Sequence, residues 1–416
     1  MNTFTLIFLL ALFLSYGVQF WLSLRQKAHV QQHRDTVPKA FSDRVSLAAH
    51  QKAADYTVEK SKLGDIDAGI GMAFLLLLTL GNGINLIFDF WAGIEVSALW
   101  RDLLSFGSLF LVMTILEIPF SLYQTFVIEE KYGFNKNTPA QFFKDQLISL
   151  SLTLGIGMPI LALILWVMDS IGELWWLYAW AIIMSFSLLM SWLFPTVIAP
   201  LFNKFTPMED GSLKQRIQNL LQRCGFNSQG IFIMDGSRRS GHGNAYFTGL
   251  GNNKRIVFFD TLVNSLDEDE LEAVLAHELG HFKCKHVIKM LAASSVMTLT
   301  SFAILGWLIH EAWFFDGLGV STHSNAVALL LFMLVSPVFT TFMRPISSYF
   351  QRKFEFEADE FATRHAQGRK MISGLVKLYE ENASTLTPDP LYSAFHYSHP
   401  PAAIRIAHIE QNMRTA

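Results

Sequence analysis

The sequence predicts a mainly α-helical protein that crosses a membrane seven times and keeps two large polar segments on one side of it. Three observations predict this. Hydrophobic residues make up 51% of the 416 and charged residues only 16%, against roughly 25% charged in ordinary soluble domains. The apolar residues, including 36 Phe and 10 Trp, fall in long blocks rather than evenly. Lys and Arg gather in alternate connections between those blocks.

A span needs about 20 mostly apolar residues to cross about 30 Å of hydrocarbon. Phe4–Leu24, Ala68–Phe88, Leu147–Met168 and Leu174–Phe194 meet this without a charged residue, as do Met290–Ile309 and Ala326–Met343. Leu103–Phe126 qualifies apart from Glu117, which has Pro119 close by. Seven such blocks in one chain weigh against reading them as buried core helices. The first block has no basic region before it and no small-residue cleavage site after it, so it reads as a retained anchor. The fifth opens with Trp175, Trp176, Tyr178 and Trp180, a pattern that reads as an interfacial belt. Glu117, at membrane depth, faces either a watery cavity or a neighbouring helix.

The segment Arg25–Asp67 carries eight Lys or Arg, and Lys131, Lys136 and Lys144 follow the third span. Met1–Thr3, Asp169–Glu173 and His310–Asn325 carry none, and the loop after the second span has only Arg101. Positive charge stays on the cytoplasmic side. The N-terminus is therefore expected outside, with both polar segments in the cytoplasm. The chain divides into 1–199 with five spans, 200–288 polar, 289–343 with two spans, and 344–416 polar. A net charge of −3 gives no reason to expect a nucleic-acid partner. Two cysteines, Cys224 and Cys284, imply no disulfide framework.

The chemistry is concentrated in Leu271-Glu-Ala-Val-Leu-Ala-His277-Glu278-Leu-Gly-His281. Ser265-Leu-Asp-Glu268 reads as a capping box that starts this helix, and Leu271, Val274 and Leu275 give it a buried face. His277 and His281 stand one turn apart on one face, so both imidazoles can reach a single zinc ion. Glu278 is displaced by about 100° around the axis, where it can reach a water on the metal without binding the metal itself. A surface helix with two solvated histidines is the bland alternative. The downstream pattern of the metzincins is absent, because position 284 is Cys, position 287 is Val, and His286 falls one residue short.

A third ligand is expected from a second helix, Phe350–Ala366, where Glu355 and Asp359 share a face. One of the two can bind zinc while the other accepts a proton from a ligating histidine. Glu357 points nearly opposite and reads as a solvated carboxylate. The last two spans, as a hairpin into the membrane and back, would bring the two half-sites together. The charged flanks Asp267–Glu270 and Lys283–His286 keep the motif itself out of the bilayer centre. Tyr246–Gly249 and Arg255–Phe259 read as two strands joined by Leu250-Gly-Asn-Asn-Lys254. An exposed strand edge there can pair with an extended peptide, or the hairpin can simply pack on the zinc helix.

The order of motifs resembles the type I CAAX prenyl proteases, zinc metallopeptidases of the gluzincin class. The resemblance is carried by Tyr56-Thr-Val-Glu-Lys60, Phe126-Val-Ile-Glu-Glu-Lys-Tyr-Gly-Phe-Asn135, Ala199-Pro-Leu-Phe-Asn-Lys-Phe-Thr-Pro207, Asp235-Gly-Ser-Arg-Arg-Ser240 and Asn244-Ala-Tyr-Phe-Thr-Gly249. It continues through the HExxH, Phe354-Glu-Phe-Glu-Ala-Asp359, and Ser398-His-Pro-Pro401 with Arg405. It implies a helical barrel enclosing a water-filled chamber, and one Zn2+ held by His277, His281 and Glu355. Glu278 is then the general base and Asp359 supports a ligand from behind. The sequence departs from the family at Glu357, more often Gln there, and at Gln351-Arg352-Lys353, where Ser-Arg-Arg is commoner. His399 is the candidate donor to the oxyanion, with a structural histidine stiffened by two prolines as the alternative. Asn244, Ala245, Tyr246 and Phe247 are candidates for holding substrate. Arg405 is a weaker one, with simple pairing to a carboxylate as the plainer reading.

The expected partners are a peptide or protein substrate, prenylated or not, and membrane lipid. A quality-control protease for unprenylated membrane proteins would use the same residues. A zinc-binding transporter would show paired repeats, and the sequence has no internal repeat. The chain's compactness and the lack of a retrieval signal at Met413-Arg-Thr-Ala416 favour a bacterial inner membrane, with the endoplasmic reticulum as the alternative.

Overall fold

A computed structural model describes residues 2–226, 228–248 and 254–415. Six of its helices are long and apolar enough to cross a membrane: Thr3–Gln32, Ala98–Glu129, Pro139–Ser170, Gly172–Phe202, His286–Leu308 and Asn325–His365. A seventh span is a bent pair, Leu47–Leu78 and Gly83–Ala92, with 53° between its halves. The block 68–88, expected to be continuous, is broken inside Thr79-Leu-Gly-Asn82 because Asn82 takes a left-handed φ of 68°. The turn is tight enough that a Cβ on Gly81 would lie 2.6 Å from the Leu77 carbonyl oxygen, so glycine is required there.

Three long helices contain π-helical turns, at Gln124–Glu129, Thr153–Gly157 and Phe194–Ile198. The last contains Pro195, and Pro159 follows the second closely. Proline lacks the N–H that a regular turn needs, and a wider turn accommodates it. The tryptophans at the start of the fifth span also make contacts between helices. Trp175 is buried against Phe302, and Trp180 Nε1 donates to the Ser295 carbonyl at 3.1 Å, so these rings lock the fifth span to the sixth. Tyr178 alone of the charge-free pattern's polar-tipped rings stays exposed. Glu117 lines a cavity of about 620 Å³ with Thr114, Gln146 and Ser149, which favours the cavity-facing reading.

Two separate cores hold the molecule. One lies among the membrane helices and includes Phe8, Phe106, Leu165, Phe314 and Leu331. The other is built on the polar segments and includes Ile217, Phe258, Leu271, Leu275, Met371 and Ile409. Phe41 and Val45, from the connection between the first two spans, insert into this second core.

The sheet has four strands rather than the expected two: β1 Phe205–Pro207, β2 Ile231–Met234, β3 Ala245–Thr248 and β4 Arg255–Phe259, in spatial order β1-β2-β4-β3. β3 and β4 pair antiparallel, as expected, while β2 and β4 run parallel. Of the expected link and strand end, Gly249–Asn253 lie outside the described residues. β3 is the edge of this sheet and packs against the HExxH helix, Glu268–Lys283. That helix opens on a capping box one turn from its charges: Asp267 accepts from the Glu270 N–H and Glu270 accepts from the Asp267 N–H, both at 2.9 Å. The box is thus Asp267 with Glu270, and the Ser265 and Glu268 pairing is corrected. Asp267 wins because Ser265 still belongs to the preceding short helix, Asp260–Ser265.

The last span does not end at the membrane. Asn325–Thr340 passes through one tight turn, Thr341–Met343, into Arg344–His365, which carries Glu355 and Asp359. This helix crosses the HExxH helix so closely that a Cβ on Gly280 would lie 2.9 Å from Ala358 Cα. Replacing Gly280 by Ala should lower stability by about 1–3 kcal/mol, although Ala is the better helix former. The thermal midpoint in detergent checks this, and an unchanged or raised midpoint would contradict the crossing.

Candidate metal centre

The crossing of the two helices brings three side chains to one point. His277 Nε2 and His281 Nε2 are 3.2 Å apart. His281 Nε2 lies 3.2 Å from Glu355 Oε1, and His277 Nε2 lies 3.4 Å from Glu355 Oε2. A tetrahedral zinc with bonds of about 2.0–2.2 Å separates its ligand atoms by about 3.3–3.5 Å. Glu355 Oε2 is buried without a hydrogen-bond partner, and an ion pair with Arg405 Nη1 at 3.3 Å meets only part of the cost of burying a carboxylate that a metal ion would offset further. The residues present therefore fit a zinc ion.

Behind this point the side chains form a buried network. His277 Nδ1 lies 2.9 Å from Asp359 Oδ1. Arg405 grips Asp359 with two bonds, Nε to Oδ2 at 2.9 Å and Nη2 to Oδ1 at 2.5 Å, and its Nη1 lies 3.3 Å from Glu355 Oε2. Arg405 is only 5% exposed. It lies behind the cluster, so the structure favours the carboxylate-pairing reading over substrate contact. Burial and the Arg405 charge push the His277 pKa down, but the bonds to Asp359 and Glu355 outweigh them and carry it up to about 9. The surroundings thus stabilise positive charge at this position, whether from a proton or a metal.

Glu278 sits beside the cluster on the next face of the helix. Its burial raises its pKa, and the two neighbouring imidazoles offset only part of that rise. A carboxylate shifted upward is better matched to proton transfer near neutral pH. His399 reaches the cluster from the opposite side, with Nε2 3.4 Å from Glu355 Oε1 and Nδ1 2.9 Å from Ser398 Oγ. Its side chain stays largely exposed, yet the surrounding protein desolvates the ring enough to lower its pKa and favour the neutral form.

Glu357 is not simply a solvated carboxylate. It accepts from His286 Nε2 at 2.9 Å and pairs with Lys289 at 3.5 Å. Its helix packs against the turn after the HExxH helix, and this places a buried histidine above it. His286 was visible in the sequence only as a failed metzincin match. Nothing in its spacing marks it, because its contact depends on a break between two helices. Gly280 could have been noticed, since a glycine inside a helix disfavours it without a packing reason.

The strand residues sit apart from the charged network. Phe259 N–H donates to the Asn244 carbonyl at 3.0 Å. In an antiparallel ladder bonded and unbonded positions alternate, so Tyr246 and Thr248 bond β4 while Phe247 turns its backbone groups to the open edge, and the Ala245 N–H donates to Asn244 Oδ1 at 2.8 Å. The side chains of Tyr246 and Phe247 pack on Phe259 and Phe226 respectively.

Residues 26–204 match a family described as CAAX prenyl protease N-terminal, five membrane helices, and residues 207–413 match peptidase family M48. A Dictyostelium discoideum protein named CAAX prenyl protease 1 homolog is 36% identical over 96% of this chain and 95% of its own. The Saccharomyces cerevisiae CAAX prenyl protease 1 is 37% identical over 76% of this chain and 73% of its own. The crystal structure of S. mikatae Ste24p superposes with a TM-score of 0.93 at 32% identity, covering 99% of this chain and 100% of that one. The fold is thus a seven-helix membrane chamber joined to a protease domain, and the HExxH lies in the matched peptidase segment. The chain belongs to the M48 family of metallopeptidases, in the branch that carries the five-helix CAAX prenyl protease N-terminal segment.

Proposed function

We propose that this multi-pass membrane metallopeptidase removes the C-terminal residues that follow a prenylated cysteine, using one zinc held by His277, His281 and Glu355. The observation that carries the reading is the meeting of those three ligand atoms at one point beside Glu278. The names of the relatives supply the substrate class.

A zinc ion there lowers the pKa of its water to about 7 and polarises the scissile carbonyl. The protein's own groups do the rest. Glu278 takes the proton of the attacking water and later passes it to the leaving amine. His399 donates from Nε2 to the oxygen that becomes negative as the carbonyl carbon turns tetrahedral. Asp359 accepts the His277 Nδ1 proton, which leaves the Nε2 lone pair free for the metal. Arg405 holds Asp359 and offsets its charge. Asn244, Ala245, Tyr246 and Phe247 supply an open strand edge on which an extended peptide can align.

The basic loops support an orientation with both polar segments in the cytoplasm. The named relatives come from eukaryotes, which favours the endoplasmic reticulum over the bacterial inner membrane.

Purified protein should cleave a farnesylated CAAX peptide, lose that activity to a zinc chelator, and lose it in Glu278→Gln while the variant still holds one zinc. A Glu278→Gln enzyme that cleaves normally would refute the base. Equal rates on the unprenylated peptide would shift the substrate class to membrane-protein quality control. Asp359→Ala should weaken zinc binding by about 10–100-fold. It should also cost about 3–5 kcal/mol of stability, because Arg405 stays buried with one carboxylate fewer. Chelator competition and thermal melting read the two effects. Phe247→Pro removes one outward N–H from the strand edge and should slow peptide cleavage by about tenfold with zinc content unchanged; unimpaired cleavage would argue against edge pairing.

A further inference from the structure

His277 has Asp359 and Arg405 behind it, and His281 has a chain of its own. His281 Nδ1 lies 3.0 Å from His286 Nδ1, and His286 Nε2 lies 2.9 Å from Glu357 Oε2. Two ring nitrogens at such a distance share one proton, with one donating and the other accepting. If His281 Nε2 offers its lone pair to the cluster, its Nδ1 carries the proton and donates it. His286 Nδ1 is then the acceptor, so its own proton sits on Nε2 and points at Glu357. Every hydrogen bond is satisfied in this order. In the reverse order His281 would carry a proton on Nε2, aimed at His277 Nε2, and could not bind a metal there.

The backbone is shaped to make this contact. Residues five apart on a continuous helix lie about 140° apart and cannot meet. Here the HExxH helix stops at Lys283, Lys285 takes a left-handed φ of 58°, and a new helix begins at His286. That single residue folds His286 back under His281. The His286 ring is fully buried and stacks on Phe354, with centroids 4.3 Å apart and planes 13° apart. Lys289 stands over the same Phe354 ring and pairs with Glu357.

We propose that His286 and Glu357 are positioning residues that hold His281 in its metal-binding tautomer, as Asp359 does for His277. The inference rests on the metallopeptidase reading above. It also decides between two uses of one cluster. Cys284, His286 and Glu357 are near enough to one another to grip a cation. A cation on His286 Nε2 would move that ring's proton to Nδ1, where it would face the Nδ1 proton of His281. The relay and a second metal are therefore mutually exclusive.

The test measures zinc affinity by chelator competition on full-length protein in detergent, together with the thermal midpoint of the zinc-free form. In Glu357→Leu the His286 proton loses its acceptor, and in His286→Phe the stacking is kept but both nitrogens go. Each should weaken zinc by about 10–100-fold, and the zinc-free midpoint should fall by a few degrees at most, in Glu357→Leu from the buried donor left unpaired. Glu357→Gln restores an acceptor and should recover affinity to within about fivefold, because a neutral bond is roughly half as strong as a charge-assisted one. Wild-type zinc affinity in both Glu357→Leu and His286→Phe overturns the proposal. So does a drop in the zinc-free midpoint with affinity unchanged, which marks a structural role, and so does a second zinc equivalent that disappears in Cys284→Ser. Wild-type protein that binds no zinc at all would instead overturn the metallopeptidase reading.

Discussion

The close crossing at Gly280 and Ala358 is the constraint from which the metal centre follows. A side chain at 280 would meet the backbone of the opposing helix, so the two helices can touch only where one of them has no Cβ. His277 and His281 lie one turn apart on one helix. Glu355 and Asp359 lie one turn apart on the other, with Ala358 between them. A crossing at that level puts Glu355 across from both imidazoles and Asp359 behind the first. A wider crossing would leave the carboxylate short of the Nε2 atoms, and the buried charges would lose the partners that make their burial tolerable.

Those charges explain the form of the network. Two carboxylates, Glu355 and Asp359, are buried with a single guanidinium, Arg405. Burying charge is costly unless it is paired and bonded, and this set has a surplus negative charge. The unpartnered Glu355 oxygen and the upward pull on the His277 pKa are two signs of the same surplus. A cation at the meeting point of the three ligand atoms removes it. Arg405 offsets only part of it, because one guanidinium is divided between two bonds to Asp359 and an ion pair with Glu355 Oε2 at 3.3 Å. It sets how much negative charge remains for the metal.

The membrane helices do more than anchor the site. The helix bearing Glu355 continues the last span through one short turn, and the helix that follows the HExxH motif is the sixth span itself. Both halves of the centre are therefore built on helices joined to spanning helices by short turns, and helices hold ligands more tightly than loops do. The same arrangement keeps the charged network on the polar segments and off the apolar spans, where unpaired carboxylates would be far more costly in hydrocarbon. The connection between the first two spans adds Phe41 and Val45 to the core around the HExxH helix, so the two cores are tied together on both sides.

Much of this was legible in the order of residues. Spans show themselves because hydrocarbon tolerates only long apolar runs. The metal motif shows because two imidazoles one turn apart are a local property of any helix. The π-turns, the break at Thr79–Gly83 and the short strands β1 and β2 were not legible. An apolar run such as Ile231-Phe-Ile-Met234 has no alternation to reveal a strand, and a bend depends on what packs against it. The surroundings of Glu357 were hidden for a related reason. The partner of a charged side chain is chosen by helices distant in sequence, so a carboxylate that looks solvated on its own helix can end against a buried histidine. Local periodicity alone determined which residues could bind a metal. The approach of two helices, and one left-handed residue at Lys285, decided which partners hold them in place.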